Sequence, residues 1–156
     1  MEKEMKALLR SKVAEVELVY KSKVKSSDRI QIKGSKDCYD VFLALWDDNK
    51  FDLQEQFKVI YLNRANRIVG LYEISTGGIT GTVADPRLII KGALDVLACN
   101  MILAHNHPSG NLKPSKADEE LTSKIKCAAE FLDMKVLDHI ILSDQGYFSF
   151  ADEGTF

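Results

Sequence analysis

The chain has 156 residues, of which 46% are hydrophobic and 28% are charged, and its formal net charge is −2 at pH 7. This length suits one ordinary domain, and the composition excludes a largely disordered chain. The longest apolar runs, such as Met101–Ala104 and Ile140–Leu142, are far too short to span a bilayer, so we expect no membrane segment.

The N-terminal extension, residues 1–12, alternates charged side chains and lacks the apolar stretch of a signal peptide. We therefore expect a cytoplasmic protein with a single domain over residues 13–156. The cysteines Cys38, Cys99 and Cys127 have no close C-x-x-C spacing, which favours reduced, mostly buried thiols over a zinc or redox site.

Basic side chains are concentrated near the N-terminus. Residues 1–36 hold ten Lys and Arg against five Asp and Glu, and many of these cations lie in Lys21–Lys36. Such a segment either contacts a nucleic-acid backbone or forms a solvated strand edge. No aromatic ladder accompanies the lysines, so we favour the strand edge and regard nucleic-acid contact as weakly supported.

The predicted elements begin with two strands and a helix. Alternating apolar residues predict a strand over residues 13–20, and a second, short strand is expected over residues 29–32. Ser35 is typical of an N-cap, and the helix that it opens extends through Trp46. The face expected to be buried comprises Cys38, Phe42, Leu45 and Trp46.

A predicted hairpin follows this helix. Residues 57–62 and 67–74 are rich in β-branched and aromatic side chains, and the intervening residues 63–66 fit a hairpin turn. Residues 75–82 are rich in glycine but lack the residue order of a P-loop. We therefore expect a connecting loop there and not a phosphate cradle.

The second half of the chain begins with a helix signal, Asp85 as N-cap and Pro86 in the first helical turn. An apolar stripe then follows at helical spacing: Leu88, Ile89, Gly92, Ala93, Val96 and Leu97. Residues 101–104 predict a short buried strand.

A further helix and a closing hairpin complete the prediction. Ser115 is a second N-cap, and the helix after it has apolar residues spaced for one face: Leu121, Ile125, Ala128 and Leu132. Residues 139–143 and 147–150 predict strands joined by a turn at 144–146. This alternation of strands and helices predicts an α/β fold, a mixed β-sheet flanked by helices on both faces.

Two histidines directly follow the predicted strand 101–104. His105 and His107 are two residues apart, and side chains at i and i+2 of an extended chain project to the same side. The turn-rich segment PSGNLKP then lets the chain fold back to Ser115 and Asp118. Two imidazoles and one carboxylate would give a catalytic zinc its three protein ligands, with water in the fourth position.

The same residues also have a purely structural interpretation. Ser115 and Asp118 fit a capping box, in which the serine caps the helix and the acidic side chain reaches back. A carboxylate that closes a cap competes with one that binds a cation. The histidine pair is likewise compatible with a loop that binds no metal. The local pattern by itself therefore leaves a metal site and a simple cap open.

The spacing H-x-H, seven residues, S-x-x-D resembles the metal motif of the JAB/MPN (JAMM) metallopeptidases. The segment HNHPSG, followed by PSKAD, is similar to the sequences of the bacterial RadC-like branch of that family. Further similar segments lie at residues 62–70, 75–82, 85–87 and 137–150. The resemblance covers the chain from about Val13 onward and implies a cytidine-deaminase-like architecture.

The resemblance also implies which residues carry the chemistry. It implies a Zn²⁺ cofactor held by His105, His107 and Asp118. Glu55 matches the family's catalytic glutamate, although spacing alone could not select it over Glu73. Ser115 is similar to the serine that stabilises the oxyanion. His139 follows Asp138 at the start of a predicted strand, and either it is a buried, satisfied histidine or it supports the site.

Two functions are compatible with this resemblance. The first is a zinc-dependent hydrolase that cleaves a peptide, isopeptide or similar amide bond in an unknown protein or peptide substrate. The second is a non-catalytic or DNA-associated module with a structural metal. Longer RadC-like proteins carry an N-terminal helix-hairpin-helix region, and with about a dozen residues before the first predicted strand we expect none here. That expectation weakens the family's DNA-repair label.

Two other enzyme classes are disfavoured by the residues. The nucleases that are named for the residues His, Asn and His have these residues spread over a larger unit. The adjacent residues His105-Asn106-His107 are therefore not evidence of that nuclease motif. A zinc nucleobase deaminase needs H-x-E and a later P-C-x-x-C, and the sequence has no such cysteine pair.

Overall fold

A computed structural model describes residues 2–14, 16–17, 19–78 and 82–156. Residues 15 and 18 of the first predicted strand and residues 79–81 of the glycine-rich loop lie outside the described residues. The described part forms five α-helices: α1 (Glu2–Arg10), α2 (Ser35–Leu45), α3 (Asp48–Phe51), α4 (Pro86–Asp95) and α5 (Lys116–Phe131). It also forms five strands: β1 (Gln56–Leu62), β2 (Ile68–Thr76), β3 (Asn100–Asn106), β4 (Lys135–Ser143) and β5 (Gly146–Ser149).

The five strands form one mixed sheet in the order β2-β1-β3-β4-β5. Strands β3 and β4 are parallel, and all other neighbouring pairs are antiparallel. A parallel pair requires a crossover connection, which here is α5. The crossover places the start of α5 near the carboxyl end of β3, where the two predicted histidine ligands lie.

Helices cover both faces of the sheet, as the sequence predicted. One core cluster packs Val59, Met101 and Leu103 of the sheet against Ile89 of α4 and Ile125 of α5. On the opposite face, a second cluster packs β-strand residues against α2: Ile60, Ile102 and Ile140 with Cys38 and Phe42. The central strands β1 and β3 are buried almost throughout because both of their faces are covered, which explains their continuous apolar runs.

The prediction for the N-terminal segment is wrong in the described positions. Residues 13–14, 16–17 and 19–20 form no strand, and the side chains of Val13, Val16 and Val19 stay exposed because none of the described strands pairs with them. The extension before them instead contains helix α1. Residues 29–32 contribute one isolated bridge, Gln31 to Arg67, beside the start of β2.

Helix α2 differs from its prediction at both ends. Gly34, not Ser35, occupies the N-cap position, and Ser35 is the first helical residue with its hydroxyl 2.5 Å from Asp152 Oδ2. Cys38, Phe42 and Trp46 are buried as expected. Leu45 is exposed because only one face of this short helix meets the sheet.

The other helices also depart from the predicted stripes near their ends. Leu97 is exposed because α4 stops at Asp95 and the backbone turns toward β3, with a φ of 52° at Leu97. In α5 the fully buried residues are Ile125 and Ala129, whereas Leu132 lies at the C-cap and is exposed. Within the described ranges, no helix combines the length and apolarity needed to cross a bilayer.

Both predicted hairpins are confirmed. Strands β1 and β2 are joined by a turn in which Asn63 Oδ1 accepts from the backbone N–H groups of Ala65 and Arg67. Strands β4 and β5 meet around Gly146, whose φ of 132° favours glycine. Strand β4 begins at residue 135, four residues before the predicted start, because it extends to pair with the whole of β3.

Candidate metal centre

The structure brings His105, His107 and Asp118 together. His105 lies near the end of β3, His107 directly follows the strand, and Asp118 lies in the first turn of α5. One ligand atom from each residue lies within 4.8 Å of the other two. His105 Nε2 is 2.9 Å from His107 Nε2 and 3.3 Å from Asp118 Oδ1. These three side chains could hold a metal ion.

The spacing of these atoms suits a small cation. A tetrahedral zinc ion with bonds of about 2.0–2.1 Å would hold neighbouring ligand atoms about 3.3 Å apart. His107 Nδ1 is 2.5 Å from the backbone carbonyl of Asn111, which can only accept, so Nδ1 carries the proton. His107 Nε2 therefore directs a lone pair toward His105 and Asp118. His105 Nε2, 2.9 Å away, could share either a proton or a cation with this lone pair.

The cap and a metal need not compete for Asp118 as we expected from the sequence, because its two carboxylate oxygens face different partners. Asp118 Oδ2 accepts from the Ser115 backbone N–H at 2.7 Å and from Ser115 Oγ at 2.6 Å. Ser115 Oγ is also 3.1 Å from Asp118 N, which completes the capping box. The second oxygen, Oδ1, faces His105. One carboxylate thus serves both the helix and the cluster.

Asp118 is held as an anion. Partial burial raises the pKa of its carboxyl, but the neighbouring His105 ring and the hydrogen bonds from Ser115 together outweigh the burial. The net result is a pKa well below the ordinary value for aspartate. A carboxylate that stays ionised throughout the physiological range is suited to bind a cation.

An open cleft of about 380 Å³ lies against this cluster. Glu55 and Ser115 both line it, together with His107 and Asp118. Glu55 Oε2 accepts from the backbone N–H of Thr82 at 3.2 Å. The structure therefore places all five residues predicted for the site at one locality.

The alternative glutamate, Glu73, lies elsewhere. It is on β2, with its carboxylate 3.5 Å from the ammonium group of Lys58 and hydrogen-bonded to the Thr76 hydroxyl. Lys58 in turn lies over the ring of Trp46, on the α2 side of the sheet. Since the histidines and Phe57 face the other side, Glu73 does not line the cleft.

His139 is buried and contacts His105. Its side chain is fully buried and stacked on the ring of Phe150, and its Nε2 is 2.8 Å from His105 Nδ1. Burial lowers the pKa of His139 well below its ordinary value, so the ring is neutral. Thr122 Oγ1 lies 2.6 Å from its other nitrogen. Sequence reasoning missed Thr122, because only the fold brings α5 and β4 side by side.

Asn106 was also missed as a residue that supports the site. It lies between the two histidines, but its side chain points to the opposite face of β3 and is completely buried. Asn106 Oδ1 accepts from Gln56 N at 2.7 Å, and Nδ2 donates to the carbonyls of Phe51 and Gln54 at 2.6 and 2.8 Å. These three bonds fix the segment that carries Glu55 against the strand that carries His105.

Replacing Asn106 with alanine should therefore loosen this segment. One buried and two partly buried backbone groups would lose their partners, and we expect the free energy of unfolding to fall by about 2–4 kcal/mol. Urea denaturation followed by fluorescence would measure the change. Asn49→Ala, at an exposed position in α3, is the matched control. Equal midpoints for both variants would show that the Asn106 bonds do not hold the segment.

Comparisons with known proteins identify the family of the chain. The family model described as a RadC-like JAB domain matches residues 32–155. A UPF0758 protein of Flavobacterium johnsoniae is 44% identical over 126 residues, which is 81% of this chain and 54% of that protein. A UPF0758 protein of Porphyromonas gingivalis is 47% identical over 102 residues, covering 65% of this chain and 45% of the relative.

A third UPF0758 protein, from Caldanaerobacter subterraneus, is 37% identical over 115 residues, covering 74% of this chain and 49% of the relative. The chain thus spans about half the length of the curated relatives that it matches. The mixed sheet with helices on both faces is the fold expected from the sequence resemblance. From the family match and the similarity to these relatives, we conclude that the chain belongs to the RadC-like JAB domain family.

Proposed function

We propose that the chain is a zinc-dependent hydrolase that cleaves a peptide, isopeptide or similar amide bond. The observation that carries this proposal is the convergence of two imidazole Nε2 atoms and one carboxylate oxygen beside a cleft that also contains Glu55. Nitrogen and oxygen ligands in this number are typical of catalytic zinc sites, which leave a coordination position open. The substrate would be a protein or peptide in the cytoplasm.

His105, His107 and Asp118 would hold the ion. When bound, a divalent cation supplies Lewis-acid chemistry, because it makes water more acidic and polarises a carbonyl oxygen. Glu55 would take a proton from the attacking water and pass it to the leaving amine, as a general base and then a general acid. Its place in the cleft that His107 also lines supports this role.

Ser115 would stabilise the oxyanion of the tetrahedral intermediate. Its hydroxyl has one proton, which Asp118 Oδ2 accepts in the structure. Rotation of the hydroxyl toward the cleft would free this proton for the oxyanion. The Ser115 backbone N–H would keep its own 2.7 Å bond to Oδ2, so Asp118 would remain oriented.

Metal analysis of the purified protein tests the proposal. We expect about one zinc per chain in the wild type and almost none in His107→Ala, which removes one of three protein ligands. Cys127→Ala removes an exposed thiol outside the site and should retain the metal. The wild type should then cleave members of a peptide and isopeptide library, and a chelator should stop the cleavage.

Two outcomes would contradict the proposal. A wild-type protein that neither contains zinc nor takes it up on dialysis would remove the metal site. A zinc-loaded protein that cleaves no amide bond in either library would leave a metal-binding module without the proposed hydrolase activity.

A further inference from the structure

The hydrogen bonds behind His105 extend beyond the first neighbour. His105 Nδ1 contacts His139 Nε2 at 2.8 Å, and His139 Nδ1 contacts Thr122 Oγ1 at 2.6 Å. Thr122 Oγ1 in turn donates to the backbone carbonyl of Asp118 at 2.6 Å. This series of hydrogen bonds therefore runs from the backbone carbonyl of Asp118 to the ring of His105, and both residues are proposed metal ligands.

From this arrangement we propose that Thr122 and His139 are positioning residues that fix the tautomer of His105, leaving its Nε2 unprotonated and able to bind a metal. The inference rests on the proposed metal site, and it adds two residues that touch neither the ion nor the substrate. The inference assigns the donor and the acceptor in each hydrogen bond of this series.

Thr122 determines which group donates in each hydrogen bond of the series. A threonine hydroxyl has one proton, and a backbone carbonyl can only accept. Because Thr122 gives its proton to the Asp118 carbonyl, its oxygen must accept from the next group. That group is His139, so the Nδ1 atom of His139 carries a proton.

The tautomer of His139 then determines which nitrogen of His105 is protonated. The ring is completely buried, stacked on Phe150 and in edge contact with Phe57, and its two nitrogens contact only a hydroxyl and another imidazole among the described residues. A ring in such surroundings stays neutral and has one N–H. With the proton on Nδ1, Nε2 accepts from His105 Nδ1–H. His105 Nε2 is then bare and faces His107 and Asp118.

A role in packing alone would make a different prediction. Aromatic contacts with Phe57 and Phe150 depend on the shape of the His139 ring and not on the position of its proton. Thr122 separates the two roles, because valine has nearly the shape of threonine but cannot accept a hydrogen bond. Serine keeps the hydroxyl and loses only a methyl group.

The tests compare Thr122→Val with Thr122→Ser. In Thr122→Val, His139 would gain nothing by keeping its proton on Nδ1. It would place the proton on Nε2, which reverses the bond to His105 and puts the His105 proton on Nε2, inside the metal site. We expect the zinc dissociation constant, measured by competition with a chromophoric chelator, to rise 10–100-fold, the range typical of residues that orient metal ligands. Thr122→Ser should stay within about threefold of the wild type.

Nuclear magnetic resonance reads the tautomers directly. The sequence contains three histidines, so long-range proton–nitrogen spectra of the metal-free protein can be assigned to single rings. We expect His105 to be protonated at Nδ1 in the wild type and in Thr122→Ser, and at Nε2 in Thr122→Val. His139→Gln, which keeps an acceptor for His105, should bind zinc more tightly than His139→Phe, which keeps the aromatic shape.

The outcomes separate this inference from the proposed function. If the wild type binds zinc and Thr122→Val binds it equally well with an unchanged His105 tautomer, the positioning role is wrong and the hydrolase proposal stands. If the wild type binds no zinc, both are wrong. If the His139 variants do not fold, the Thr122 pair still decides the question.

Discussion

Glu55→Gln is expected to abolish hydrolysis while the metal stays bound. Glutamine has the shape of glutamate and can still accept from the Thr82 backbone N–H, but it cannot take a proton from water. General acid–base groups contribute about 10²–10⁴-fold to rate, so kcat/KM should fall by that factor. The measurement is cleavage of the best substrate from the libraries, with zinc content determined on the same preparation.

Glu73→Gln is the matched control for this experiment. The exchange is chemically identical, but Glu73 lies on β2 beside Lys58 and away from the cleft. We expect it to change kcat/KM by less than about threefold. A Glu55→Gln protein with wild-type rates would remove Glu55 as the base, and a large loss in Glu73→Gln would favour the alternative glutamate.

Asp138→Ala is expected to cause the largest loss of stability. The buried carboxylate of Asp138 accepts from His139 N at 2.7 Å and Ala151 N at 3.0 Å, both through Oδ1, and from Ser149 Oγ at 2.6 Å through Oδ2. Alanine would leave these three donors unpaired, which should lower the free energy of unfolding by about 3–5 kcal/mol. Urea denaturation would measure it.

Asp138→Asn is the corresponding control. Asparagine keeps Oδ1 for the two backbone donors, and its amide can donate to the Ser149 hydroxyl, so its cost should be under about 1 kcal/mol. Similar losses in the alanine and asparagine variants would show that the hydrogen bonds of Asp138 are not what stabilises this end of β4.

Asp138→Asn and the wild type should also differ in how their stability depends on pH. Burial raises the pKa of the Asp138 carboxyl, and its three hydrogen bonds offset this only in part. A group whose pKa is higher in the folded state loses stabilisation as the pH rises through that pKa. The stability of Asp138→Asn relative to wild type should therefore increase as the pH rises above the ordinary pKa of aspartate, about 3.9. The lowered pKa of Asp118 is common to both proteins and cancels.

The sequence predicted those parts of the fold whose signals are local. Asp85-Pro86 and Ser115 mark the starts of α4 and α5, because an N-cap acts on the first turn of its own helix. The segment 13–20 shows the limit of such signals. Its alternation is that of a strand, but a strand forms only beside a partner, and the described residues there have none.

In the candidate site, too, the sequence predicted the residues that lie close together along the chain and missed those that are far apart. The three proposed ligands are close in sequence, within 14 residues, so their spacing was informative. The residues that support them are not. Thr122 meets His139 across 17 positions, and Asn106 reaches residues 50 or more positions away. Such contacts depend on the order of strands in the sheet, which no local pattern in the sequence specifies.

The capping box at the start of α5 has a consequence for cation affinity. Because two hydrogen bonds from Ser115 already fix the carboxylate of Asp118, its rotational entropy is lost during folding and not when a cation arrives. The ligand is preorganised by the same interaction that starts the helix. Fraying of the first turn of α5 would therefore weaken cation binding even if all three ligands were intact.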